Sequence, residues 1–116
     1  MGPKKVRKKL PDRRLTETRK VETDLGHTEI LSVGYDTDQT DQPREVFYSS
    51  GFKSGSMLEF QVQDFCVLFS LLLQHGMAPD DVAKSLARKE NHDGTLSFAS
   101  ISGLIVDELS KPPAWA

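Results

Sequence analysis

MLEFQVQDFCVLFSLLLQHGMAPDDVAKSL, residues 57–86, joins a strongly apolar segment to a second, amphipathic one across a Gly/Pro corner. Eleven of the sixteen residues from Leu58 to Leu73 are apolar, interrupted by Glu59, Gln61, Gln63, Asp64 and Ser70. Polar positions thin out after Asp64, so the C-terminal half of this helix reads as apolar nearly all round. Such an element is a core helix covered on several sides or part of a subunit interface. A membrane span fails on length, because only nine residues separate Asp64 from Gln74 where roughly 20 are needed. Gly76 is suited to end the helix, since glycine takes the left-handed conformation without a Cβ penalty. Pro79 suits the first turn of a second helix, and Asp80 and Asp81 place negative charge where the helix dipole favours it. In that helix Val82, Ala83 and Leu86 form a narrow apolar stripe, with Arg88 and Lys89 at its C-terminal end. The stretch therefore predicts two helices, antiparallel or crossed, around a tight corner.

Upstream the pattern changes to period two. Val21, Thr23 and Leu25 alternate with Glu22 and Asp24, while Ile30 to Tyr35 and Val46 to Tyr48 are short β-favouring runs. Gly26 and His27 supply a tight turn, and the polar run from Asp36 to Pro43 a longer hairpin loop. Downstream, Ile101, Leu104, Ile105 and Leu109 predict a third helix over about Phe98 to Leu109, with Ser97 as its cap and Lys111-Pro112-Pro113 as its stop. The expected fold class is α+β: a small three-stranded antiparallel sheet packed by two or three helices, the long helix covering one sheet face. Residues 1–14 read as a basic, flexible arm, 15–111 as a single domain and 112–116 as a tail.

A chain of 116 residues with 37% hydrophobic content fits one domain with one core. The single cysteine, Cys66, excludes an intramolecular disulfide and any cysteine-cluster metal site; in so apolar a helix it reads as a small buried hydrophobe. No apolar leader follows the basic start, so the expected compartment is the cytoplasm, with no membrane partner. The net charge of −2 conceals an asymmetry. Residues 1–20 carry nine basic side chains (Lys4, Lys5, Arg7, Lys8, Lys9, Arg13, Arg14, Arg19 and Lys20) against two acidic ones; the rest carries six basic against fifteen acidic. A basic arm on an acidic body can tether nucleic acid, dock an acidic partner or fold back on its own domain. The run from Pro3 to Lys9 also has the composition of a nuclear-import signal, a pattern common among short basic runs.

Several segments occur in an order that carries a family resemblance: Leu10-Pro11-Asp12-Arg13-Arg14, Gly26-His27 entering a strand, Arg44-Glu45-Val46-Phe47-Tyr48 leading to the Gly/Ser/Lys segment Gly51 to Ser56, and the leucine-rich helix ending Leu73-Gln74-His75-Gly76 before Pro79-Asp80. Over about residues 10–86 the chain resembles the TSCPD domain, found near the end of cobalamin-dependent (class II) ribonucleotide reductases and in small stand-alone bacterial and phage proteins. The parent enzymes reduce ribonucleotides in a large barrel with a radical-forming cysteine and a redox cysteine pair. This chain has one cysteine and no room for such a barrel. The resemblance therefore implies a non-catalytic binding or adaptor module, without cofactor, that associates with a reductase or serves another binding task. A protein is the expected partner.

Lys53, Ser54, Gly55 and Ser56 precede a helix and form a candidate anion or nucleotide site, because backbone N–H groups, the dipole and Lys53 converge there; an ordinary N-cap at Ser56 explains the same residues. Asn91 to Phe98 fails as a calcium loop: with Gly94 at loop position six, Lys89 and Ser100 fall where Asp and Glu are required, and a turn on Asp93-Gly94 suffices. His27, His75 and His92 lack metal-ligand spacing, so no metal is expected, and His75 most simply bonds a terminal carbonyl. The rival to a protein adaptor is a DNA-binding regulator. A helix-turn-helix is disfavoured by the ten or so residues from Ala87 to Ser97 and by a following helix with Asp107 and Glu108 but no basic residue, which leaves the basic arm as the nucleic-acid contact. The long helix carries more apolar surface than a thin sheet covers, which predicts a homodimer burying Leu68, Leu71 and Leu72.

Overall fold

The computed structural model describes residues 7, 10, 14–23 and 26–116. The flexible arm expected over 1–14, apart from Arg7, Leu10 and Arg14, lies outside the described residues, as do the expected strand positions Asp24 and Leu25. Three strands, β1 (Thr16–Glu22), β2 (Thr28–Tyr35) and β3 (Pro43–Ser50), form an antiparallel sheet in the order β1-β2-β3. In β1 the alternation is direct: Arg19 and Val21 are buried while Thr18, Lys20 and Glu22 face solvent. Gly26, at φ +78°, closes the β1–β2 turn by donating its N–H to the Thr23 carbonyl (3.0 Å). The loop from Asp36 to Gln42 is organised by the buried Asp36 carboxylate, which accepts from the Asp38 N–H at 2.8 Å and from Arg44 Nε at 2.9 Å. Arg44 also donates to the Leu73 carbonyl, so the same side chain ties the hairpin to the long helix.

That helix, α1, runs from Met57 to Gln74. Ser56 caps it, accepting from the Glu59 N–H at 3.2 Å, and the Glu59 carboxylate accepts in turn from the Gly55 N–H at 3.0 Å, a variant of the reciprocal capping box. At the other end the Gly76 N–H reaches the Leu73 carbonyl and the Met77 N–H the Leu72 carbonyl, with Gly76 at φ +95°; these are the two bonds of a Schellman ending. His75 Nδ1 lies 2.8 Å from the Leu71 carbonyl. Val62, Cys66, Phe69 and Leu73 are buried and share one core with Leu31, Val33 and Val46 of the sheet. Ser70 Oγ accepts from the Val46 N–H and donates to its carbonyl (2.9 and 3.1 Å). A helix side chain thereby satisfies backbone groups that an edge strand otherwise leaves open.

Three expectations change. The C-terminal half of α1 is not enclosed: the sheet covers one side, and Val67, Leu68 and Leu72 stay exposed, because a three-stranded sheet is too narrow to wrap a helix. The second helix, α2, stops at Pro79–Ala83, and Arg88 and Lys89, expected at its end, belong to a strand, β4 (Arg88–Glu90). β4 pairs with β5 (Leu96–Phe98) around Gly94 at φ +83°. The Asp93 carboxylate accepts from both the N–H and the hydroxyl of Thr95 (3.0 and 2.6 Å), so local turn chemistry competes successfully with helix continuation. The third helix, α3, consequently starts later, at Ile101–Ser110, with Ser100 rather than Ser97 as the cap. Phe98 instead presses on Gly103, where a Cβ would come within 2.8 Å of the ring side chain. The Arg88 guanidinium lies 4.1 Å from the ring centroid. Residues beyond α3 also dock: Trp115 meets Tyr35 edge-on at 4.9 Å and donates to the Thr40 carbonyl.

Candidate association surface

The faces of α1 follow from its period. Val62, Cys66, Phe69 and Leu73 recur at steps of four, three and four and point at the sheet. The opposite side presents Met57, Phe60, Asp64, Val67 and Leu71 at steps of three, four, three and four, a near-heptad seam with Leu68 and Leu72 beside it. Leu68 is 62% exposed, Val67 56% and Phe60 50%. Phe47 of β3, 50% exposed, lines one concavity with Val67 and Leu71 and extends the patch onto the strand. Phe47 could be missed in sequence because Val46 and Tyr48, its neighbours, are the inward residues of that run. The patch is thus larger than Leu68, Leu71 and Leu72 alone.

Basic side chains border the patch at the C-terminal end of α1. Arg7 donates from Nε to the Gln74 side-chain oxygen, and Arg14 forms an ion pair with the buried Glu45 carboxylate. Gly34 has no side chain where Glu45 lies; a Cβ there would meet the carboxylate. Arg19 is only 8% exposed: it pairs with Glu17 at 2.6 Å and donates to Tyr35 Oη and to the Glu108 and Lys111 carbonyls. Burial raises the Glu17 carboxyl, but the Ala114 N–H, Arg19 and Tyr35 outweigh it and hold it below the usual carboxylate range. Arg19 therefore joins β1 to the C-terminal segment, while Lys20 faces solvent. Lys4, Lys5, Lys8, Lys9 and Arg13 lie outside the described residues.

In the Gly/Ser/Lys segment, Lys53, Ser54 and Gly55 are exposed. Its donors are engaged locally: Gly55 N–H with Glu59, and Ser56 N–H with the Lys53 carbonyl at 3.1 Å. An anion there would have to displace the Glu59 carboxylate. The core contains one group that sequence pattern did not single out. Glu29 of β2 is fully buried, and neither carboxylate oxygen has a hydrogen-bond partner. Burial pushes its pKa up to about 7. Burial, followed by the Glu29 charge, pushes the Cys66 thiol up to about 12; a nucleophilic cysteine needs the opposite. Among the described residues no group of three or more His, Cys, Asp or Glu side chains is placed to hold a metal ion. By length and composition α1 could cross a membrane; here its inner face is bound to the sheet.

An α+β body with its long helix on a three-stranded sheet, an exposed apolar helix face and a thiol held protonated is the frame within which the chain's relationships fall. The family model for the TSCPD domain matches residues 3–111, nearly the full length. The chain belongs to the TSCPD domain family. No individual curated protein and no solved structure matches it.

Proposed function

We propose that this chain is a non-catalytic association module of the cytoplasm that binds a protein through the outer face of α1 and the adjoining Phe47. The observation that carries this reading is the patch itself, a group of large apolar side chains left exposed on α1 and β3. A folded protein hides such a group when it can, so one left open is a contact surface in waiting. The family supports the reading, as does a single cysteine buried with a raised pKa, which suits packing better than redox chemistry. Nucleic acid is the second reading: of the nine basic residues named for it, Arg7, Arg14 and Arg19 are engaged by Gln74, Glu45 and Glu17 of the same chain.

A photoreactive amino acid placed at Leu68, in the full chain expressed in its native host, tests this. Protein adducts are expected at Leu68 and absent from the same probe at Lys20, on the solvent side of β1. Absence of protein adducts at Leu68, Val67 and Leu72 alike would refute the reading.

A further inference from the structure

We infer that the partner seated on this patch is a second copy of the chain, with the two α1 helices packed antiparallel about a two-fold axis near Leu68. The inference rests on the association reading and deepens it by naming the occupant.

Area is the first argument. Phe47, Met57, Phe60, Val67, Leu68 and Leu72 are between 41% and 72% exposed. At about 200 Å² for a large apolar side chain they present roughly 600–700 Å². The largest patch on a typical monomer is about 300–600 Å², and each side of a stable interface buries about 800 Å². A copy of the same face supplies the matching area, and the seam of Met57, Phe60, Asp64, Val67 and Leu71 has the 3,4 spacing by which one helix packs into another.

Charge sets the direction. α1 carries Glu59 and Asp64 in its first half and no basic residue anywhere along its length. Positive charge enters at the other end, where Arg7 lies on Gln74. A parallel pair would align acidic half with acidic half. The antiparallel pair sets the Arg7 end of each copy against the Asp64 half of the other, twice over. It is also isologous: each patch covers its own likeness and the assembly closes at two copies instead of propagating.

Sedimentation of the full chain at high micromolar concentration is expected to give twice the 13.0 kDa chain mass. Leu68→Glu is expected to give a folded monomer with an unchanged far-ultraviolet circular dichroism spectrum, and the photoprobe at Leu68 an adduct of two chains. Arg7→Glu and Asp64→Arg should each weaken the dimer about 10-fold, and the double variant should recover most of the loss, because the exchanged charges face each other again. A monomer at every concentration overturns the inference, and so does a dimer indifferent to Leu68→Glu. If the probe on a monomeric chain captures a different protein, the second copy is excluded while the association reading stands. Capture of lipid alone, or of nothing, removes both. A dimer whose charge-exchange variant is weaker than either single variant refutes the antiparallel arrangement.

Discussion

The two faces of α1 are built from the same kinds of residue and meet opposite fates. Val62, Cys66, Phe69 and Leu73 disappear beneath the helix; Phe60, Val67, Leu68 and Leu72 remain in contact with water. Composition cannot separate the two sets, and even periodicity blurs where leucines occupy successive positions. What separates them is the width of the neighbour. The sheet, together with Ile105, Val106 and Leu109 of α3, covers one side of the helix and shares one core with it. The outer face is therefore surplus to the fold, which is why the proposed contact is placed there.

The two faces differ most in what they contribute to stability at the adjacent positions Leu68 and Phe69. Phe69 is fully buried and its ring lies 5.6 Å from that of Phe65. Phe69→Ala should lower unfolding free energy by about 3–5 kcal/mol, the cost of an aromatic cavity in a packed core, measured by urea titration. A loss below about 1 kcal/mol would mean that the inner face is not the core.

Next in size is the one misfit on the inner side. Glu29 keeps its proton to about pH 7 when folded, against 4.5 for the ordinary side chain. Between those values the unfolded chain releases a proton that the folded chain retains, so folding stability falls as pH rises through this window and levels off above it. The fall is about 3 kcal/mol, from 1.36 kcal/mol per pKa unit. Cys66 stays protonated throughout this range, and Glu17, with its lowered pKa, acts in the opposite sense at more acid pH. Glu29→Gln should flatten the dependence between pH 5 and pH 8 and exceed wild type in stability at pH 8. Parallel urea midpoints for the two proteins across this range would expose an error in the assignment.

Much of this arrangement was legible in the sequence, for identifiable reasons. Period two over Ile30–Tyr35 and the punctuation at Gly76 and Pro79 are local signals with local causes, and they located β2 and the end of α1 to within a residue or two. The β4–β5 hairpin was not legible, because its strands are three residues each and its one inward ring, Phe98, was equally suited to opening a helix. Glu29 was not legible because a charged residue between Thr28 and Ile30 reads as strand-edge chemistry, and its burial comes from tertiary packing. Its neighbourhood is tight as well: a Cβ on Gly51 would come within 2.6 Å of the Glu29 Cα. The candidate surface was half legible. Leu68, Leu71 and Leu72 stood out by composition, whereas Phe47 joins them only through the packing of β3 beside α1.

A smaller effect tests how the helix is held. Ser70 is a buried polar residue beside the apolar inner face of α1, and its hydroxyl bonds both backbone groups of Val46. Ser70→Ala keeps the volume nearly constant and leaves a buried N–H and carbonyl without that partner, so it should cost about 2 kcal/mol. Exchange of the Val46 amide hydrogen with solvent should accelerate in step. Ser70→Thr should retain both bonds while adding a methyl group to a packed site, so stability recovered relative to Ser70→Ala identifies the hydroxyl as the cause.

The smallest expected change in the isolated protomer lies next door, at Leu68. With 62% of its surface already open, truncation removes little that folding had withdrawn from water. Leu68→Ala should change the stability of the protomer, at concentrations too low for association, by no more than about 0.5 kcal/mol. At high concentration wild type should be more stable than in its own dilute limit and Leu68→Ala should lose much of that gain, because association with the native state is what makes unfolding concentration-dependent. Urea midpoints taken across a hundredfold range of concentration read both quantities in one series. A large loss for Leu68→Ala in the dilute limit would place this residue in the protomer's own core and erase the distinction between the two faces of α1.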